Sequence, residues 1–181
     1  MLLATKTKTI LASALIVGGM LTFVSGAAEA SGLGMPQSLT LEHEAIVNEL
    51  TLLAGRGGSV GAAASKALPL VKTHFAKEAE FVFPPLGILP ELAKGRITPD
   101  MKAAISMAER AKAAEQQLHD EHTQITSLMN DIIAAAKAGH ENEVIAFATR
   151  VAAHSLNEMN VLFPTTIVIG DYLRGKMPTG Q

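Results

Sequence analysis

Two stretches decide how this chain folds: His74-Phe75-Ala76-Lys77-Glu78, closed by Phe83-Pro84, and His154-Ser155-Leu156-Asn157-Glu158, closed by Phe163-Pro164. The second repeats the first eighty residues on, and Glu42-His43 returns seventy-nine residues on as Glu121-His122. Each half therefore reads as a helix with one histidine, a gap of roughly thirty residues, and a helix with H-x-x-x-E and a terminal Phe-Pro. Two such helical hairpins can pack with pseudo-twofold symmetry.

Working outward, apolar residues recur at spacings of three and four around each of these groups, which is the signature of one helical face. His43 aligns with Ile46, Val47, Leu50 and Leu53; His74 and Glu78 with Leu68, Val71, Phe75, Phe81 and Val82. His122 aligns with Leu118, Ile125, Met129 and Ile132; His154 and Glu158 with Val144, Phe147, Val151, Val161 and Leu162. The spacing predicts helices over about 38–54, 59–83, 98–137 and 141–163, with residues 86–97 as a connection. Pro69 reads as a kink or a late start, Pro84-Pro85 as a stop, and Thr98-Pro99-Asp100 as a strong start signal. An apolar stretch to Leu173 continues the last helix after a kink at Pro164. The expected class is all-α, an up-down-up-down four-helix bundle over residues 38–173, preceded by a leader at 31–37 and followed by a flexible tail at 174–181. The Gly55–Gly61 segment is a helix connection, since no strand precedes it and no Lys-Ser/Thr pair follows in register as a phosphate loop requires.

Lys6 and Lys8 precede a run from Thr9 to Ala28 without charge, and Ala28-Glu29-Ala30 supplies small residues where a signal peptidase cuts. Residues 1–30 thus read as a signal peptide, and the mature chain as exported, with the periplasm as its expected compartment. An uncleaved membrane anchor is the alternative. The chain has no Cys, which excludes disulfides, thiolate-ligated zinc and iron–sulfur clusters. Its net charge of -2 gives no electrostatic case for nucleic acid.

Two glutamates and four histidines on apolar faces require partners. Burying one unpaired carboxylate costs several kcal/mol, against a net stability of about 5–15 kcal/mol. No Lys or Arg falls on these stripes near the six groups. Metal cations satisfy them together, and imidazole with carboxylate suits iron, manganese or zinc. Either H-x-x-x-E alone reads equally well as an ordinary i,i+4 pair; its repetition in matching order favours metal. His119 lies near the His122 face, as an extra ligand or a partner behind the ligands, although its repeat equivalent is Thr40. His140 follows Gly139 in a connection and is expected in solvent.

The order H…H-x-x-x-E…H…H-x-x-x-E, with Phe-Pro after each H-x-x-x-E, resembles the hemerythrin-like (HHE cation-binding) domains over residues 38–165. It is most similar to the di-iron type of iron-centre repair proteins. The resemblance implies two iron ions, oxo- or hydroxo-bridged, held by His43, His74, Glu78, His122, His154 and Glu158, with the two glutamates bridging. Manganese or zinc are lesser candidates. The chain departs from oxygen-carrying hemerythrins: Thr126 stands where a fifth histidine would complete H-x-x-x-H, and the last helix carries His154-x-x-x-Glu158 in place of H-x-x-x-x-D. It also lacks the Cys-bearing N-terminal domain of many repair proteins.

One histidine fewer leaves an open position for O2, NO or peroxide. The expected function is binding, sensing or detoxifying such a ligand. The alternatives are iron storage, delivery or centre repair, or a di-iron oxidoreductase turning over peroxide or NO with an electron donor. Tyr172, the single tyrosine, lies beyond the last stripe, which argues against a tyrosyl radical beside the metals.

Overall fold

A computed structural model describes residues 33–177. The signal segment at 1–30 and the end of the expected tail lie outside the described residues.

Every regular element among the described residues is helical. Helix α1 spans Gln37–Gly55 and α2 Gly58–Lys77, followed by a π turn at Glu78–Val82. A 3-10 turn at Pro84–Ile88 and the short α3, Leu89–Ala93, make the connection. A further 3-10 turn, Pro99–Met101, leads into α4, Lys102–Ala113, and α5, Glu115–Ala138. Helix α6 spans Asn142–Asn157, a second π turn covers Glu158–Leu162, and α7 runs over Phe163–Lys176. None of these helices is long and apolar enough to cross a membrane.

There are thus more helices than the four expected. The predicted third helix is broken at Ala114, where the backbone leaves helical geometry. No Pro or Gly marks the place. The two halves pack on different partners instead: α4 against α7 and the first π turn, α5 against α2 and α6. Tertiary packing overrides a uniformly helical local preference here. The expected connection at 86–97 contains helical turns of its own, and Pro69 sits inside α2 rather than delaying its start. Between α1 and α2 the chain turns within Arg56 and Gly57, and Gly57 and Gly58 adopt φ of 73° and 67°, a region that favours glycine.

Both π turns begin at the glutamate of an H-x-x-x-E. The Phe83 N–H donates to the Glu78 carbonyl at 2.9 Å, and the Phe163 N–H bonds to the Glu158 carbonyl in the same way. An i→i+5 turn inserts one residue and shifts the phase of everything after it. One expectation is corrected nearby: Val161, placed on the buried stripe by regular spacing, is 52% exposed, whereas Phe81 at the same place in the first π turn is buried against α4 in the second core. The second π turn explains why Pro164 does not end the helical path. The π turn has already interrupted the i→i−4 ladder, so a missing N–H costs little, and Pro164 stands at the start of α7.

Two apolar cores result. One is built by α1, α2, α5 and α6 from residues such as Leu50, Val71, Met129 and Val151. The other joins Leu33, Phe81, Phe83 and Leu86 to α4, the start of α5 and α7. The second core includes a tight contact between α4 and α7. A Cβ added at Gly170 would stand 2.3 Å from the Ala108 Cβ. A buried Thr166 on α7 donates its hydroxyl to the Val82 carbonyl at 2.7 Å, tying the second half to the first π turn.

Candidate metal centre

The polar layer lies between the two cores, and helical spacing puts it there. On α1 the order is Leu39, His43, Ile46; on α5 it is Leu118, His122, Ile125. In each case the first residue packs with the second core and the last with the first. On α2 and α6 the histidine follows Val71 or Val151 by one turn, and the glutamate one turn later opens the π turn.

The structure brings together all six side chains singled out by the repeat. His43, His74, Glu78, His122, His154 and Glu158 are all buried, with exposures between 0% and 7%. They fall into two groups whose donor atoms lie within 4.8 Å of one another: His74, Glu78, His122 and Glu158; and His43, His154 and Glu158. Glu158 belongs to both. Its Oε2 lies 3.1 Å from the His122 Nε2, and its Oε1 lies 3.0 Å from the His43 Nε2 and 2.9 Å from the His154 Nε2. Glu78 spans the groups more loosely. Its Oε1 is 3.0 Å from the His74 Nε2 and its Oε2 is 3.7 Å from the His43 Nε2. Each H-x-x-x-E is thus also an i,i+4 pair, as its spacing alone allows.

The far side of each ring decides what these distances mean. The His122 Nδ1–H donates to the Leu118 carbonyl at 2.8 Å. The His74 Nδ1–H donates to Glu121 Oε2 at 2.9 Å, and the His154 Nδ1–H faces Glu42 Oε1 at 3.1 Å. In a neutral imidazole the other nitrogen then carries a lone pair. Three such lone pairs aim inward, at carboxylate oxygens and at one another. The His74 and His122 Nε2 atoms stand 3.1 Å apart.

Protonating the rings would relieve this, but burial works against it. Desolvation pulls His43 and His74 below the ordinary imidazole value. It acts the same way on His154, where the neighbouring Glu158 outweighs it and the net shift is upward. Burial, reinforced by the Glu158 charge, pushes the Glu78 carboxyl well above the usual range. Glu158 is also raised by burial, yet the surrounding imidazoles of His122, His154 and His43 hold it well below. Among the described residues, two buried polar atoms, Glu78 Oε2 and His154 Nε2, have no partner in hydrogen-bonding geometry, although His154 Nε2 stands close to the Glu158 carboxylate. Inward lone pairs, orphaned atoms and two carboxylates are what a cation resolves. Ligand atoms about 2.0–2.2 Å from an ion stand about 3 Å apart when they meet at right angles, which is the separation found here. The buried His/Glu groups can hold a metal ion.

The residues behind the rings include two whose role the repeat did not disclose. Glu42 and Glu121 each precede a site histidine in sequence, and each reaches across to a histidine of a neighbouring helix. The two are not equivalent. The Glu121 side chain is 13% exposed, whereas that of Glu42 is 51% exposed. Burial raises the Glu121 carboxyl, but bonds from Lys77, His74 and Gln117 outweigh it and lower it to about 2. Their signal in the sequence was the duplicated Glu-His pair itself.

His119 is exposed and stands outside both groups; it lines a surface cavity with His122, Met159 and Asn160. His140 is exposed in a connection, with φ of 58°. Comparison with known proteins gives no significant match to a family, a characterised protein or a solved structure.

Proposed function

We propose that this chain is an exported, hemerythrin-like four-helix protein holding two iron ions, and that it binds, senses or detoxifies a small ligand such as O2, NO or peroxide. The observation that carries the reading is the pair of His/Glu groups joined through Glu158. Helices α1, α2, α5 and α6 form the bundle around one core, and α4 and α7 extend it. In this reading His74 and His122 hold one ion and His43 and His154 the other, with Glu158 and Glu78 shared. Iron held there would supply redox chemistry and could take a small ligand.

The protein's own residues do the rest. Glu121 and Glu42 fix the ring orientation of His74 and His154 and raise their basicity. The apolar residues around the layer exclude water. The cavities that reach His43 and His122 measure about 100 and 190 Å³. Organic substrates are usually held in pockets of about 300–1,000 Å³, so these favour a ligand of a few atoms. Export rests on the signal-like segment at residues 1–30, and cleavage after Ala30 would be read by N-terminal sequencing of the protein from the cell envelope.

The test is to reduce the iron-loaded protein without air and add O2, NO and peroxide in turn, recording absorption. A stoichiometric spectral change with at least one ligand is expected. An unchanged spectrum with all three would contradict the reading, and continuous consumption of peroxide or NO would make the protein an enzyme.

A further inference from the structure

Two crevices reach the polar layer, one between α1 and α2 and one between α5 and the second π turn; Thr40, His43 and Ala79 of the first have their repeat counterparts His119, His122 and Met159 in the second. The first reaches His43 and is walled by Met35, Val47, Phe75 and Ala79, with the exposed Glu44 and Lys72 at its rim. The second reaches His122 and is lined by Glu115, His119, Met159 and Asn160 among others. Matched across the repeat, Thr40 corresponds to His119, Val47 to Thr126, Phe75 to Ser155 and Ala79 to Met159. Both crevices mix polar and apolar lining, but the first exposes more apolar surface, from Met35, Val47, Phe75, Ala76 and Ala79, than the second does from Leu118, Met159 and Phe163.

We propose that the α1/α2 crevice is the access route for a small uncharged ligand, which reaches the centre on the His43/His154 side. This rests on the metal reading above. Three observations favour that side. The larger apolar surface of the first crevice suits a small uncharged molecule, whereas Glu115, His119 and Asn160 give the second more polar groups that a ligand would have to desolvate. The Phe75 ring lies parallel on the His43 imidazole, with centroids 3.7 Å apart, and keeps its outer face apolar. Both orphaned buried atoms, Glu78 Oε2 and His154 Nε2, belong to the His43/His154 side of the layer. Ala79, whose counterpart is Met159, lines this crevice with a side chain small enough that a larger one would fill it.

Two measurements test this. The first needs no metal. Xenon at moderate pressure is added to the metal-free protein, and methyl resonances are followed by NMR. Shifts at Val47, Ala76 and Ala79 are expected; shifts confined to Met159 and Leu118, or none, would overturn the proposal. The second is stopped-flow binding of NO to the reduced, iron-loaded protein. Ala79→Leu should slow association about tenfold with iron content kept, while Met159→Phe should change it less than about twofold. Ala76→Phe at the exposed edge of the crevice is the companion variant should Ala79→Leu fold poorly, and it too should slow association. Slowing by Met159→Phe alone would overturn the route. A chain that takes up no iron would instead remove the metal reading, and the route with it, whatever xenon shows.

Discussion

The Nε2 atoms of His74 and His122 face each other across 3.1 Å while the Nδ1–H of each ring is committed elsewhere, to Glu121 and to the Leu118 carbonyl. Two lone pairs so placed repel unless a cation or a proton lies between them. A metal that binds the folded chain and not the unfolded one stabilises it by about 2.7 kcal/mol at a hundred times its Kd. For a chain of this size that is a rise in Tm of roughly 5–10 °C. Calorimetry of the metal-free protein with and without added ferrous ion should show it. An unchanged Tm would mean the layer is satisfied by protons alone.

Glu158 is the residue common to both His/Glu groups. Glu158→Ala is therefore expected to abolish binding of both ions, whereas His74→Ala should weaken one and spare the other. Metal per chain, measured after gel filtration, separates these outcomes. Retention of two ions by Glu158→Ala would show that it does not bridge.

Glu121 is held ionised by Lys77, His74 and Gln117 and is largely buried. Losing such a partner behind a metal-ligating histidine typically costs 10–100-fold in metal affinity. Glu121→Gln should show about that loss in competition with a chromophoric chelator. Glu42→Gln should cost less, because solvent already reaches the Glu42 carboxylate. Equal losses would contradict the asymmetry of the two halves.

The second core makes a prediction independent of metal. Thr166→Val leaves the buried Val82 carbonyl without its hydroxyl donor and should destabilise the fold by about 1–3 kcal/mol, with Thr166→Ser recovering most of it. Gly170→Ala forces a methyl against Ala108 and should cost a similar amount, typical of overpacking. Denaturant unfolding measures both. Stability unaffected by Gly170→Ala would mean that α4 and α7 are not locked together.

Much of the polar layer was legible because its residues repeat in order on stripes of regular helical spacing. His43 and His122 fall between apolar neighbours one turn away on either side, so periodicity alone buries them. What escaped was what period cannot encode. The π turns that open at Glu78 and Glu158 leave no mark in the spacing, and of the matched pair Phe81 and Val161 packing buries the first and leaves the second exposed. The break at Ala114 has no local signal, since it arises from what α4 and α5 pack against. Glu42 and Glu121 stood out as a repeated pair with their histidines, but each acts on a ring from another helix, and only the packing says which.

The most direct test of the two-ion reading is metal analysis of the purified chain, residues 31–181, with an absorption spectrum taken in air and after reduction. Close to two irons per chain are expected, with near-ultraviolet absorption that bleaches on reduction. A chain that binds no iron, even after reconstitution, and unfolds at the same temperature with or without it would contradict the account and leave the repeated H-x-x-x-E as a purely structural device.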